Sequence, residues 1–557
     1  MKKIFIFIAS ILLCLAVNAQ TPSWAWAKSG NGSNWDYGYS ICTDAPGNVY
    51  VTGGYGSSPV TFAPLNLTNA GGYDFYITKY DQNGNVIWVK TAGGTGDEFG
   101  NSICTDASGN IYVTGQFTSA TLTFGTTTLT NAGATNVFTV KYDTNGNVVW
   151  AKGGGGTFYD EGYGIVTDVS GNIYVAGNYS STRVIFGSDT LNNYGSQNAF
   201  ILKYSNNGNL IWAKQSVWNN QTAGITSLGI DPANNLLITG NFTAGGASGN
   251  VVIDTCLVNG LFPISSSTNI FIAKLDSGGH SLWARGTAMD ANGYAYGEGI
   301  CADLHNNVYV TGKFGGAYVV FNSDTLKMPA TNSGFDMFIV KYDPSGNALW
   351  TGTSSGCSGG VDAASICCDA TGSAYVTGYL QAFSSSFGTA SITNVFGGYV
   401  VKYTPSGTPV WVKGIDGWLG GTSVAAGPNQ NVVVTGGFET DTATFDSFSL
   451  INACQTCNNT DIFVLSLNSL PTGIKENASV NKMNVYPVPT RDRLIVSFTE
   501  ELKDATLDVL DILGNQLRTV RFSGKEYILE KDNLPPGVYI IRVTAEGEVL
   551  RRQVVIQ

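Results

Sequence analysis

One tryptophan returns seven times along this chain in the same short setting. The segments are SWAWAKSG at Trp26, VIWVKTAGG at Trp88, VVWAKGGGG at Trp150, LIWAKQSVW at Trp212, SLWARGTAM at Trp283, ALWTGTSSG at Trp350 and PVWVKGIDG at Trp411. The spacings are 62, 62, 62, 71, 67 and 61 residues. A period of that length marks one supersecondary unit repeated. Between Trp88 and Trp150, β-branched and aromatic residues alternate with period two in four segments: SICTD (a), IYVTG (b), FTVKY (c) and VVWAK (d). Asp-Ala-Ser-Gly joins a to b and Asp-Thr-Asn-Gly joins c to d. Both have the composition of a type I turn ending on a left-handed glycine.

Four antiparallel strands per unit predict a propeller blade. The b motif begins at Tyr50, Tyr112, Tyr174, Leu237, Tyr309, Tyr375 and Val433, and c also occurs seven times, ending with IFVLSLN at Ile462. The first d motif, at Trp26, precedes every other strand, and the last c has no d after it. The expectation is an all-β, seven-bladed β-propeller whose amino-terminal strand completes blade seven. Closure of that kind removes open sheet edges. A Lys or Arg two residues after the tryptophan, present in all repeats but one, is expected to blunt the outer edges.

The combination D-x-x-G-N-x-Y-V-T-G followed by F-x-x-K-Y-D-x-x-G-N-x-x-W resembles the SBBP repeats of bacterial secreted and surface proteins, over roughly residues 21–470. That resemblance implies a seven-bladed propeller and is nearly silent on activity.

The first 19 residues read as a signal peptide, with Lys2 and Lys3, the apolar run Ile4 to Val17, and Val17-Asn18-Ala19 as cleavage site. Residues 20–470 are then the propeller, 471–482 a linker and 483–557 a second domain. Residues 21–474 carry 15 Lys+Arg against 28 Asp+Glu, whereas 475–557 carry 12 of each. The acidic first part argues against nucleic acid or anionic lipid as partner, and no apolar run is long enough to span a bilayer. Cys42, Cys104, Cys301 and Cys367 share one column of strand a with Val166, Gly229 and Ala425, which marks them as small packed residues. Cys454 and Cys457 are spaced for a local disulfide, with free thiols equally open. His280 and His305 are isolated, so no zinc site, other metal or cofactor is implied.

Residues 483–557 carry short alternating strands, enough for a small β-sandwich. Tyr486-Pro487-x-Pro489, Asp511-x-x-Gly514, Leu534-x-x-Gly537-x-Tyr539 and a basic, apolar final strand resemble the C-terminal type A sorting domain of the type IX secretion system of Bacteroidetes-type bacteria. Val488 stands where that motif commonly has asparagine. The resemblance implies handling by that machinery, export across the outer membrane, and cleavage of this domain with release or surface attachment.

Binding residues concentrate on loops held by a rigid scaffold. With a–b and c–d tight, the longer d–a and b–c connections share one face. The d–a segments offer Trp35, Asp36 and Tyr37; Asp97, Glu98 and Phe99; Asp160 and Glu161; Trp218; Glu298; Asp362; and Trp418. Aromatics beside carboxylates could stack on sugars and accept their hydroxyls, or hold a cation; alternatively the rings pack between blades and the acids cap turns. Two arginines before residue 471, Arg183 and Arg285, are too few for a sialidase clamp, and no Ser-His-Asp or Cys-His set is available. The reading is a non-catalytic, exported surface propeller presenting a binding face to a glycan or protein. The rivals are a polysaccharide hydrolase or lyase using the acidic loops, and a purely structural or adhesion component.

Overall fold

The computed structural model describes residues 21–468 apart from 194, 216–222, 244–249, 254–255, 260–267, 291–292, 329–333, 356–358, 382, 429 and 455–458. It also describes 483–556 apart from 487–491, 512–515, 533, 536 and 546–547. The signal-peptide segment, Trp218, Cys457, Pro487, Pro489 and Gly514 lie outside these residues. Two compact units divide after Pro471.

In the first unit, every a–b–c–d set forms a four-stranded antiparallel sheet in that order. Sheet 1 is Asp36–Thr43, Val49–Tyr55, Asp74–Tyr80 and Val86–Ala92. The a strands of sheets 2 to 7 are Glu98–Thr105, Asp160–Thr167, Ala223–Ile230, Tyr294–Ala302, Val361–Cys368 and Gly421–Ala426. Sheet 7 takes its d strand from the amino terminus: Trp24–Gly30 pairs antiparallel with Asp461–Asn468, its c strand, as the motif count predicts. Each a strand packs against the a strand of the next sheet, and that of sheet 7 packs against that of sheet 1.

The inner strands are sewn together by small polar residues. The Ser40 hydroxyl accepts from Ile103 N, Ser102 from Ile165 N, Ser365 from Val424 N and Ser423 from Ile41 N. Opposite each VTG-type glycine the a strand carries a β-bulge, as between Gly38 and Ser40 or Gly297 and Gly299. A Cβ on Gly53 or Gly312 would strike the a-strand carbonyl of Tyr37 or Tyr296, so the glycine follows from the bulge.

The recurring tryptophan is a clasp between sheets. Its indole N–H donates to a carbonyl in the c–d turn of the following sheet: Trp26 to Gln82, Trp88 to Thr144, Trp150 to Asn206, Trp283 to Pro344 and Trp350 to Pro405, at 2.9–3.4 Å. The acceptor is always the second turn residue, which explains why proline serves there. The turn glycine lies flat on the ring: Gly84 has φ +77°, and a Cβ would come within 2.7 Å of the Trp26 ring. Where Asp opens the turn it accepts from backbone N–H groups two and four residues on, as Asp81 does from Asn83 and Asn85; Ser205 and Thr404 open the turns of sheets 3 and 6.

Two expectations are corrected. The lysine or arginine after the tryptophan does more than guard an edge: Lys214 donates to Gly279 O and Arg285 to Gly346 O, capping the same turn that the indole holds. The b–c connections are not open loops either. Each contains a two-stranded hairpin, Val60–Phe62 with Leu65–Leu67 in sheet 1, and in sheets 1–3 and 5–7 its first strand reaches the d strand of the preceding sheet. Phe186 of one such hairpin pairs with Gly154, where a side chain would collide with its ring. The d edges are therefore partly covered.

Sheet 7 has no c–d turn, because its c and d strands come from opposite ends of the chain. The Trp24 backbone N–H donates to Asp446 there, Lys413 pairs with Asp446 at 2.8 Å, and the Lys413 ammonium sits 5.6 Å from the Trp24 ring. Cys42, Cys104, Cys301 and Cys367 are free thiols, as the column predicts. Cys454 is disulfide-bonded.

The second unit is one sheet of five strands: Met483–Tyr486, Arg493–Leu510, Gln516–Glu530, Gly537–Ala545 and Glu548–Ile556. The long strand Arg493–Leu510 pairs with the first strand through its early residues and with Gly537–Ala545 through its late ones, with register breaks between Ser497 and Ala505. The first and last strands touch, so the halves enclose a core of Leu494, Val496, Leu507, Val509, Tyr539, Ile541 and Val554. Among the described residues no helix is long and apolar enough to cross a membrane.

Deleting residues 21–30 removes the outer strand of sheet 7, with Trp24 and the Trp26 clasp. We expect a clear drop in melting temperature and association through the exposed edge, read by calorimetry and size-exclusion chromatography. A monomeric variant with unchanged melting would contradict this account.

Candidate functional site

The sequence-predicted acids separate into two sets. Asp36, Glu98 and Asp160 open their a strands and are fully buried. Asp36 accepts from Gly56 N, Ser57 N and the Ser57 hydroxyl; Glu98 from Gly94 N and Ser119 N; Asp160 from Gly156 N, Ser181 N and the Ser181 hydroxyl. Asp97 accepts from Tyr73 N. These carboxylates hold connections in place, and Asp36, Glu98 and Asp160 do not face a ligand. Strand alternation is the reason: the first residue of these three a strands points into the packing between sheets.

Burial pushes the Asp36 carboxyl up to about 7, against the pull of its bonds from Ser57 and Gly56, and nearby Asp461 is itself pushed up by burial to about 6. Burial also raises Asp74, Glu98 and Asp160.

The second set surrounds a cleft of about 440 Å³ lined by Tyr163, Asn178, Gln197, Gly224, Ile225, Thr226, Asn241, Phe242, Thr243, Thr268, Tyr296 and Glu298. Tyr163, Thr226 and Glu298 are the unpaired bulge residues of sheets 3, 4 and 5. A bulge re-aims the side chain it inserts, and three consecutive bulges supply one wall. Asn178 grips Ile225 of the next sheet through both ends of its amide, and Asn241 accepts from Gly297 N.

Three predicted acids belong to this region. Glu161 accepts the Tyr163 hydroxyl. Asp362 pairs with Lys313 at 2.6 Å. Glu298 makes no hydrogen bond among the described residues; burial, then the Asp362 charge, pushes it up to about 7 despite Lys313. The Lys313 ammonium lies 5.8 Å from the Tyr296 ring and 5.5 Å from that of Phe335. Sequence reasoning passed over Lys313, Asn178 and Asn241. They share one column of strand b, and their polarity among glycines and aromatics was the available signal.

The predicted aromatics also divide. Tyr37 and Phe99 are half-buried in a cluster with Tyr39 and Tyr73, ring centroids 5.2–6.0 Å apart. Trp35 is 46% and Trp418 58% exposed. Trp418 has φ +70°, a left-handed conformation uncommon for a bulky residue, and packs 5.5 Å from Phe396, which touches exposed Phe383. Among the described residues of the first unit, the exposed aromatics are Trp35, Phe158, Tyr159, Phe383 and Trp418. All five lie on d–a or b–c connections. No group of three or more His, Cys, Asp or Glu is placed to hold a metal ion among the described residues.

The buried acids give a pH dependence. Asp36 starts from 3.8 in the unfolded chain, so between about pH 4 and pH 7 the folded protein keeps protons that the unfolded chain releases. Stability is therefore highest at low pH in this window and falls as pH rises through it. Melting temperature from pH 4.5 to 7.5 should decline in wild type and less steeply in Asp36→Asn, whose amide can still accept from Ser57; equal slopes would refute the assignment.

Residues 484–557 match the family described as Secretion system C-terminal sorting domain. An uncharacterized WD repeat-containing protein of Acanthamoeba polyphaga mimivirus is 27% identical over 509 residues, covering 74% of this chain and 36% of that protein. The chain thus spans about a third of the length of the curated relative it matches. Among solved structures, PorZ, a surface component of the type IX secretion system of Porphyromonas gingivalis, is similar over 95% of this chain and 100% of its own, at 9% identity and TM-score 0.16. The extracellular region of plexin A4 is similar over 96% of this chain and 53% of its own, at 8% identity and TM-score 0.32. The sorting domain, with its basic final strand in place, marks this protein for export by the type IX secretion system to the cell surface or extracellular space.

Proposed function

We propose that the first unit is a seven-bladed β-propeller that binds a glycan on the face formed by its d–a and b–c connections, without catalysing a reaction. The cyclic packing of seven a strands supports the propeller reading, as does the relative's WD-repeat name, since such repeats build propeller blades. The observation that carries the binding reading is the gathering of every exposed aromatic among the described residues of this unit on that one face. Exposed flat rings on the same side as polar side chains suit sugars, whose apolar faces stack while their hydroxyls bond to amides and carboxylates. Binding fits better than hydrolysis. Glycoside cleavage needs two carboxyl groups flanking the scissile bond, and here Glu298 lines the cleft while Asp362 is held by Lys313.

A glycan array probed with wild type and with Trp35→Ala/Trp418→Ala tests this. We expect the double variant to lose at least tenfold in affinity at unchanged melting temperature. Equal binding by both proteins would place the ligand elsewhere.

The sorting domain is an address removed on export. Intact-mass measurement of protein from the native extracellular fraction should show a chain lacking roughly the last 75–80 residues, the length of such a domain. A mature chain still ending at Gln557 would contradict this.

A further inference from the structure

We infer that the cleft over sheets 3–5 is a site for an organic cation, a primary ammonium group seated against Glu298 between the rings of Tyr163 and Tyr296. The inference rests on reading this face as a binding face and names the chemistry of one part of it.

Three observations carry it. The first is a charge imbalance. Glu298 and Asp362 share one cation, Lys313, and Lys313 is tied to Asp362. Glu298 is left largely buried, without a hydrogen bond among the described residues, in the wall of an open cleft. A carboxylate in that condition is costly until a donor or a positive charge reaches it. Across the cleft stands Tyr163, whose hydroxyl donates to Glu161, and apart from Glu298 the described lining carries no charged side chain. The second observation is the aromatic wall: Tyr163, Tyr296 and Phe242 all line the space, and ring faces attract ammonium groups. The third is the donor set. One lining carboxylate, with amides and hydroxyls around it, is too few hard ligands for a metal ion, whereas a single ammonium needs one carboxylate and a few acceptors. A volume of about 440 Å³ suits a small organic group.

The groups facing Glu298 are Asp362 and Lys313 on the neighbouring strands, Tyr294 and Tyr296 on its own strand, and Tyr163 with Glu161 across the cleft. Because Glu298 ionises near 7, an ammonium ligand that stays charged should bind more tightly as pH rises from 6 to 8.

Isothermal titration with cadaverine and with pentane-1,5-diol, its uncharged counterpart, tests the site. We expect wild type to bind cadaverine and not the diol, with affinity rising several-fold from pH 6 to pH 8. Glu298→Gln should lose at least tenfold and show no pH dependence. Asp362→Asn frees Lys313 to neutralise Glu298, so it should also weaken cadaverine binding although Asp362 does not line the cleft. Melting curves confirm that both variants fold. No cadaverine binding by wild type, equal binding of the diol, or an undiminished Glu298→Gln would each overturn the site. If cadaverine fails while glycan binding through Trp35 and Trp418 persists, only this inference falls; if both fail, the binding face itself is wrong.

Discussion

The first unit depends on an indole N–H reaching across a sheet boundary to a turn carbonyl. Within each sheet the hydrogen-bond ladder supplies order, but ladders end at sheet edges, and packing between sheets is mostly non-directional. The tryptophan supplies direction. Its ring fills the space beneath the next c–d turn, its N–H fixes that turn's height, and the turn glycine exists in part because a side chain would strike the ring. One residue thereby sets position and orientation, which explains why it recurs with the turn D-x-x-G-N rather than with its own strand alone. Each sheet is held by its neighbour, as repeat architectures require.

The seam between sheets 6 and 7 shows what that constraint demands. With no c–d turn in sheet 7, the Trp411 indole makes no such turn bond among the described residues, and Lys413, Asp446 and Trp24 tie this seam together. That tie joins a strand near the amino terminus to a hairpin more than 400 residues away. Both are needed before sheet 7 is complete, so the long-range pairing that closes the unit comes with its own polar anchor.

The same regularity concentrates departures from it where a ligand could sit. A bulge in every inner strand inserts one side chain that the ladder does not use. In sheets 6 and 7 that residue is Ala364 or Thr422, and Thr422 is spent on the carbonyl of Gly38. In sheets 3 and 5 it is Tyr163 and Glu298, which stand over a cleft. Scaffold and candidate site therefore use the same backbone feature, and identity at a single position separates them.

By itself the sequence determined the repeat, the strand order, the turns, the closing strand at Trp26 and the sorting domain. All of these rest on local spacing, on turn chemistry or on motifs that survive without tertiary context. It picked out Glu161, Glu298 and Asp362 but set them on the d–a connections, whereas all three lie within the a strands. It did not separate them from Asp36, Glu98 and Asp160. All six occupy the same stretch of strand a, but strand parity sends the latter three into the packing, while the bulge sends Glu298 to the cleft. The hairpins between b and c went unseen because their strands are three or four residues long, too short for period-two alternation to mark them. Lys313 escaped notice because its meaning lies in Asp362, 49 residues on in the neighbouring sheet, and charge balance at a site is a property of what the fold brings together.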